Sequence, residues 1–213
     1  MEFATHQQLK AALIHVCDLI VASEPLLTEL DTIIGDGDHG IGMKLGFSEL
    51  RKVLTEREFT NVYDLMRDSG VELVKTMGGA SGVIFGTLFI GGHEAVEGKD
   101  RVNADDLILF FDAGAQTISR RGRSKAGDMT MLDALLPAIE AMKQARKNTD
   151  DVLLIMKAAY EGAGQGVEDT KDMMPKLGRA KNFREKALGY ADPGAVSTSI
   201  IFKGLFEELS KNN

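Results

Sequence analysis

Cysteine is nearly absent from this sequence, and histidine is sparse. Cys17 is the single cysteine among 213 residues, which excludes a structural disulfide within the chain. One cysteine and four scattered histidines, at positions 6, 15, 39 and 93, also exclude a Cys/His zinc cluster. This usage is typical of proteins in a reducing compartment, so we expect a cytoplasmic protein.

The sequence also lacks a long apolar run and an excess of positive charge. No run approaches the roughly 20 apolar residues that span a bilayer, and the first residues do not form a basic region followed by an apolar stretch. Lys and Arg number 25 against 32 Asp and Glu, which gives a net charge of −7. Because nucleic-acid binding needs several cations on one face, we expect a soluble protein that binds neither membranes nor nucleic acid.

Apolar residues recur at helical spacing along most of the chain, and no stretch alternates with a period of two. Thr5 with Gln8 predicts a capping box before the first helix, and Asn103 predicts another helix start. The length favours one domain over residues 1–213. The sequence therefore predicts eight or nine amphipathic helices with short connections, which is an all-α bundle.

Local signals place several helix boundaries. Pro25 predicts a short helix that ends at Leu30, whereas Asp128 and Thr149 predict the starts of later helices. Pro137 predicts a local kink. Four connections exceed a minimal turn and could share one rim of the bundle, because alternate loops of an up-and-down bundle lie at the same end: 31–42, 78–82, 120–130 and 176–194.

Three carboxylates lie within eight residues of a glycine-rich segment, at Asp31, Asp36 and Asp38. Like charges this close are tolerated when they are spread out in water or gathered around a cation that prefers oxygen ligands. An EF-hand calcium loop is excluded, because counting from Asp36 puts Ile41 at the glycine position and Phe47 at the glutamate position. Either a solvated acidic loop or a magnesium site that also uses phosphate oxygens remains.

A phosphate site is suggested by the segment Gly78-Gly-Ala-Ser-Gly82. Its small residues expose backbone N–H groups, Ser81 adds a hydroxyl, and a helix N-terminus follows, all of which favour anions. A plain cap and turn is the competing interpretation. The sequence contains neither a Walker A motif nor a dinucleotide fingerprint.

Five short motifs occur in order along the chain. They are Gly35-Asp-Gly-Asp-His-Gly40, Gly78-Gly-Ala-Ser-Gly82 with Gly86-Thr87, Gly127-Asp-Met-Thr-Met-Leu-Asp133 with Ala134-Leu-Leu-Pro137, Gly178-Arg179-Ala180, and Asp192-Pro-Gly194. In this order and spacing they resemble the nucleotide-binding L subunit of dihydroxyacetone kinases over nearly the whole chain. The resemblance implies a barrel of eight antiparallel amphipathic helices that holds ADP or ATP and two Mg²⁺ ions at one rim.

The resemblance also implies roles for individual residues. Asp31, Asp36 and Asp38 match the magnesium ligands, and Arg179 matches an arginine that closes over the nucleotide and is a candidate catalytic residue for phosphoryl transfer. The positions that match the nucleotide contacts are His39, Gly40, Gly42, Gly78, Gly79, Ala80, Ser81, Gly82, Gly127, Thr130, Met131, Arg179, Asp192, Pro193 and Gly194.

Partners follow from the same resemblance. In the family a separate K-type subunit holds the triose, so a protein of this kind works with that subunit and relays a phosphoryl group to dihydroxyacetone or a related ketose. The phosphate comes from phosphoenolpyruvate through a phosphohistidine-bearing phosphotransferase protein, or from consumed ATP. Which ketose reacts, and whether the chain forms a homodimer, stay open from the sequence.

Some residues depart from the family pattern. Met129 stands where the family usually has Lys, Gly42 stands where Asn is common, and residues 181–184 replace a Ser-Tyr-Leu-Gly stretch. The segment 119–125 is unusually basic, and residues 176–186 form a second basic patch, which is either a solvated loop or a docking surface for an acidic or phosphorylated partner. These departures leave open a second hypothesis, a non-catalytic regulatory protein of the same fold that binds a nucleotide or, inside the barrel, a lipid.

Overall fold

The computed structural model describes residues 1–211 and is almost entirely helical. Its α-helices, in chain order, are α1 (His6–Ala22), α2 (Glu24–Ile34), α3 (His39–Glu56), α4 (Val62–Met77), α5 (Gly79–Gly92), α6 (Ala104–Gly122), α7 (Leu132–Arg146), α8 (Val152–Thr170) and α9 (Pro193–Ser210). Three short 3-10 helices lie at His93–Val96, Ala180–Asn182 and Arg184–Ala187. Two short strands, β1 (Ala4–Thr5) and β2 (Arg101–Val102), pair antiparallel.

Eight of these helices form a closed ring. α1 packs against α3, each later helix packs against the next one in the chain, and α9 packs back against α1. Neighbours are antiparallel: Asp18 near the end of α1 pairs with Arg51 within α3, whereas Lys10 near the start of α1 pairs with Glu58, beyond the end of α3. The predicted eight-helix antiparallel barrel is confirmed. α2 is an additional helix that packs against α3 and α9 from outside the ring.

Side chains fill the inside of the barrel. Phe47, Phe110 and Phe202 are among the largest fully buried residues and come from three different helices. One cavity among the core side chains, lined by residues that include Leu9, Phe110 and Leu209, has a volume of about 10 Å³, which holds one water molecule at most. A lipid has no room in that cavity.

The helix-start predictions met mixed outcomes. The Thr5 capping box and the Asn103 cap are both present. α8 is capped by Asp151 instead of Thr149, because the Asp151 carboxylate accepts hydrogen bonds from the N–H groups of Leu153 and Leu154. α7 begins at Leu132 and not at Asp128. The Asp128 carboxylate instead accepts a hydrogen bond from the backbone N–H of Lys125 and so stabilises the turn before it.

Two predicted loops are shorter than expected. α2 continues to Ile34, so Asp31 lies on a helix and the true connection is Gly35–Asp38. α5 begins at Gly79, which makes most of the segment 78–82 the first helical turn. Pro137 lies inside α7 as predicted. These extensions bring helix ends, with their free backbone groups, directly to the rim.

Four connections lie at one end of the barrel, as predicted, because residues from all of them line a single cleft. The strand pair and the ion pair between the Met1 amino group and Asp151 lie at the starts of α1, α6 and α8, at the other end. Within residues 1–211 no single helix has the length and apolar character of a membrane span, and only α1 with α2 satisfy that test as a pair, bent by 56°.

Candidate functional site

The rim holds a cleft of about 660 Å³. Most of the residues expected at a nucleotide and metal site line it, although they come from segments up to 163 positions apart, between Asp31 and Gly194. The expected residues in the lining are Asp31, Asp36, Asp38, His39, Gly42, Gly78, Gly79, Ala80, Ser81, Thr130, Met131, Arg179, Asp192, Pro193 and Gly194.

Three expected glycines lie outside the lining. Gly40 faces α2, where a Cβ atom would collide with Thr28, and Gly82 faces Met77, so both allow helices to pack closely. Gly127 has a φ of 80° and open space around its Cβ position, which indicates a turn in the loop before α7. At all three positions the absence of a side chain suits the local backbone of the rim.

The three aspartates converge. Ligand oxygens of Asp31, Asp36 and Asp38 all lie within 4.8 Å of one another. Partial burial and the neighbouring charges of Asp36 and Asp31 raise the pKa of Asp38. The nearest opposing charge is Arg179, whose Nε lies 2.9 Å from Asp36 Oδ2. The cluster is therefore short of positive charge, which is the condition that a divalent cation relieves.

The donor set fits magnesium. Three carboxylates without a complete protein cage leave coordination positions for water and phosphate oxygens, which Mg²⁺ prefers to retain. Asp31 is held in place because its Oδ2 accepts the backbone N–H of His39 at 3.0 Å. Helix α2 thus carries one candidate ligand, and the connection to α3 carries the other two.

His39 joins two hydroxyl groups across the cleft. Its Nδ1 lies 3.1 Å from Ser81 Oγ and its Nε2 lies 2.8 Å from Ser197 Oγ. Because the Ser197 hydroxyl already donates to the Pro193 carbonyl, this network assigns the ring proton to Nε2 and leaves Nδ1 to accept from Ser81. Burial lowers the pKa of His39 below its ordinary value, against the opposing effect of Asp31. Burial thus disfavours the charged form of the imidazole, which accepts from Ser81 in this network and orients it.

A backbone cradle lies at the start of α5. Gly78 and Gly79 have φ values of 65° and 59°, and no atom lies within 4 Å of the position that a Cβ would take at either residue. Their left-handed conformation turns the chain sharply into a 14-residue helix. The free N–H groups and the positive end of the helix dipole therefore face open space, where an anion would be stabilised.

The loop before α7 is held by buried aspartates. Asp133 accepts backbone N–H groups of both Gly127 and Thr130. Met129, between them, is buried with a φ of 59°. Lys176 Nζ donates to the Gly127 carbonyl at 2.7 Å and to Asp128 Oδ1 at 3.2 Å. Lys176, from the connection between α8 and α9, therefore adds a positive charge beside this loop.

Asp192 is buried at the start of α9. Its Oδ2 accepts the N–H of Ala195 at 2.7 Å, and its own N–H donates to Thr170 Oγ1. Burial above all, with the charges of Asp133 and Asp31, raises the pKa of Asp192 to about 7. The Asp-Pro-Gly segment is thus a fixed helix cap at the cleft wall.

Sequence reasoning did not identify several cleft residues. Ser124 is 8% exposed, lines the cleft, and its hydroxyl has no hydrogen-bond partner among residues 1–211. Apolar residues at the helix ends, including Ile41, Leu45 and Ile84, form another wall. Ile41 and Leu45 precede the buried Met43 and Phe47 by two positions, so they lie on a different face of α3 from the core residues. This break in phase is the signal that could have identified them.

Comparisons with known proteins identify relatives over most of the chain. The family model described as the DAK2 domain matches residues 33–207. The ADP-binding subunit of PEP-dependent dihydroxyacetone kinase 1 from Listeria innocua is 38% identical over 185 residues, which cover 87% of each chain. The ADP-binding subunit of the PTS-dependent dihydroxyacetone kinase of Lactococcus lactis is 32% identical, with 90% of this chain and 91% of that one covered.

A solved structure has the same fold. The dihydroxyacetone kinase of C. freundii in complex with AMP-PNP and Mg²⁺ superposes with a TM-score of 0.74 at 26% identity. The match covers 96% of this chain but 34% of that one. This chain is therefore similar to one part of that longer kinase.

Proposed function

Because the chain belongs to the DAK2 domain family, we propose that it is the Mg²⁺- and nucleotide-binding subunit of a dihydroxyacetone kinase, with residues 1–213 acting as one domain. The observation that carries this proposal is the position of the three aspartates in the same cleft as the glycine cradle of α5. A diphosphate bound at the cradle can share metal ions with the carboxylates. Phosphoryl transfer asks a protein mainly for this kind of positioning and charge neutralisation.

Each part of the cleft has a role in the proposal. Asp31, Asp36 and Asp38 would hold two Mg²⁺ ions, which supply the charge that offsets phosphate oxygens. Ser81, oriented by His39, and the N–H groups after Gly78 hold the phosphates. The apolar wall and the Thr130 to Met131 loop contact the nucleoside, and the segment 192–194 bounds it.

Arg179 is the proposed catalytic residue. Its side chain is 74% exposed and pairs with Asp36, one of the three clustered aspartates. A guanidinium there can follow the transferring phosphoryl group, whose charge spreads over its oxygens in the transition state. It therefore acts on the reaction more than on nucleotide binding.

The phosphoryl acceptor in the proposal is dihydroxyacetone or a close relative, held by a separate K-type subunit. The donor is phosphoenolpyruvate, acting through a phosphohistidine-bearing phosphotransferase protein that rephosphorylates a retained ADP. The relatives named as PEP-dependent and PTS-dependent support this donor over consumed ATP. A cytoplasmic location fits such partners.

The function is tested by mixing the protein with the K-type subunit of the same genome and dihydroxyacetone. Triose phosphate should form when the phosphohistidine protein and phosphoenolpyruvate are supplied, and mass spectrometry of the gently purified protein should detect ADP. Product formation with ATP alone, at the same rate, would overturn the retained-ADP part. Failure of both donors would overturn the kinase function.

A non-catalytic nucleotide-binding protein is the second candidate. Buried Met129 favours it, because the family usually has Lys at that position. Met129→Lys separates the two: little change in turnover supports the kinase, whereas activity that appears only in the variant supports the second candidate.

A further inference from the structure

A second, smaller apolar cluster lies at the rim, separate from the main core. Its fully buried residues are Ile34 at the end of α2, Met129 in the loop before α7, and Ala187 in the connection between α8 and α9. Ala180 and Phe183, from the same connection, pack against them. We name these five residues the rim cluster. It joins three segments that are distant in the sequence.

The segment 177–188 of that connection has few other attachments. Its backbone hydrogen bonds stay within the connection between α8 and α9. Among residues 1–211, the one ion pair of this segment joins Arg179 to Asp36, and Ala187 is its one buried residue. The rim cluster therefore supplies the apolar contact that holds the segment against the barrel.

The rim cluster is connected to Arg179 by a single 3-10 turn. Arg179 directly precedes the 3-10 helix Ala180–Asn182. The N–H of Asn182 donates to the Arg179 carbonyl at 3.1 Å, and the N–H of Phe183 donates to the Ala180 carbonyl at 2.8 Å. Because Ala180 and Phe183 lie one turn apart and both belong to the rim cluster, the place of this turn fixes the backbone of Arg179.

The side chain of Arg179 has little else to hold it. Its Nε pairs with Asp36 Oδ2, which is its one ion pair within residues 1–211. An exposed ion pair holds a side chain only weakly. A displacement of about 1 Å in a group that acts on the reaction can lower the rate about a hundredfold, so turnover depends on packing behind the arginine.

We propose that the rim cluster positions Arg179 beside the three aspartates, with Phe183 as the positioning residue. This rests on the proposed function, in which Arg179 acts on the transferring phosphoryl group. Phe183 does not line the cleft, so it acts through the arginine and not by contact with a ligand. Met129 and Phe183 belong to two segments that depart from the family pattern, and these departures meet in the rim cluster.

The test compares three substitutions in one connection. Phe183→Ala removes most of the packing of the ring, whereas Phe183→Leu keeps an apolar side chain. Leu188→Ala is the matched control, because Leu188 is exposed, lies in the same connection, and belongs neither to the rim cluster nor to the cleft lining. Turnover with the K-type subunit and the Kd for Mg-ADP are measured for each variant, with and without Arg179→Ala.

We expect Phe183→Ala to lower turnover about tenfold while the Kd for Mg-ADP stays within about threefold. Phe183→Leu should restore most of the turnover, and Leu188→Ala should stay within about twofold of wild type. In the Arg179→Ala background, Phe183→Ala should cause no further loss, because its effect passes through the arginine. The same fold-loss in both backgrounds, equal losses of binding and turnover, or an equal effect of Leu188→Ala would overturn the proposal.

Hydrogen exchange gives a second measurement that needs no turnover. In Phe183→Ala the amides of Phe183 and Lys186, which are bonded within the connection, should exchange at least about fivefold faster, whereas the amides of α5 stay unchanged. Unchanged exchange, or faster exchange throughout the barrel, would overturn the positioning inference and leave the proposed function intact. A wild-type protein without turnover, or full turnover in Arg179→Ala, would overturn the proposed function and with it the inference.

Discussion

Asp36 is the residue that tests the proposed metal site most directly. It lies on the connection between α2 and α3, outside the core, and also pairs with Arg179. Asp36→Asn removes a negative charge but keeps the size of the side chain, so Mg²⁺-dependent ADP binding should be lost while helicity is unchanged. Calorimetry and circular dichroism check this, with Asp172→Asn as the control, an exposed aspartate that is not in the cluster. Wild-type affinity for Mg-ADP in Asp36→Asn would contradict the ligand assignment.

Substitution of Arg179 should affect turnover much more than nucleotide binding. Arg179→Ala should retain Mg-ADP with a Kd within a few fold of wild type but lose about a hundredfold or more in turnover with the K-type subunit, because the guanidinium acts mainly on transition-state charge. Arg179→Lys should restore little, since an ammonium does not reproduce the planar fork. Steady-state kinetics measure the turnover and calorimetry measures the Kd for Mg-ADP, both on the same preparations. Equal losses in binding and turnover would refute the transition-state role.

Asp192 links stability to pH. Burial raises the pKa of this carboxyl group to about 7, above the 3.8 of a free aspartate, so the folded state holds the proton more tightly than the unfolded chain does. The stability from this group is complete below about pH 4 and is lost as the pH rises through 7. At 1.36 kcal/mol per pKa unit the loss is up to about 4 kcal/mol.

Asp192→Asn can keep the hydrogen bond from Ala195 without a charge. The free energy of unfolding of the variant minus that of the wild type should therefore be larger at pH 8 than at pH 5. Urea titrations of both proteins at both pH values measure this difference. The difference between the two proteins isolates Asp192 from other titrating groups, including Asp38 and His39. A constant difference across this range would mean that Asp192 titrates normally.

At the scale of elements, close packing of α7 on α8 requires glycine at two positions of α8, Gly162 and Gly166. A Cβ at Gly166 would collide with the backbone carbonyl of Asp133, whereas a Cβ at Gly164, two residues earlier on α8, would meet nothing within 4 Å. Gly166→Ala should therefore destabilise the protein by about 1–3 kcal/mol, the usual range for overpacking. Gly164→Ala should stabilise it by about 0.5–1 kcal/mol. Denaturant unfolding of both variants provides the comparison, and equal effects would refute the packing explanation.

The helices could be predicted from the sequence, but some of their ends could not. Apolar periodicity and the caps at Thr5 and Asn103 are local signals, and they were sufficient to predict the helices α1 and α6 and where these begin. Asp128 has the side chain of a helix cap, yet its carboxylate bonds to Lys125 and Lys176, and the second of these contacts is tertiary. Likewise, the sequence could show that Asp31, Asp36 and Asp38 are chemically suited to a cation, but not that Ser124 faces the same cleft, because that depends on how the barrel closes.

At the scale of the whole molecule, the barrel acts as a scaffold that brings distant segments to one rim. Buried apolar residues determine the fold, so their periodicity predicted the helices of the ring. The candidate site is made of connections and helix ends, so the short loop motifs predicted the cleft. The charge distribution follows the same division, because the basic segments 120–125 and 176–186 lie beside the cleft whereas the rest of the chain is acidic.

The most direct test of the account is thermal melting with Mg²⁺ alone, ADP alone, and both together. In the proposed site the cradle and the aspartates share metal ions when a diphosphate binds, so each ligand alone should shift the Tm little. Together, at about 100 times the dissociation constant, they should add roughly 2.7 kcal/mol, which for a protein of this size is a rise of about 5–11 °C. A Tm that does not move with Mg-ADP, or that rises as much with ADP alone, would contradict the account.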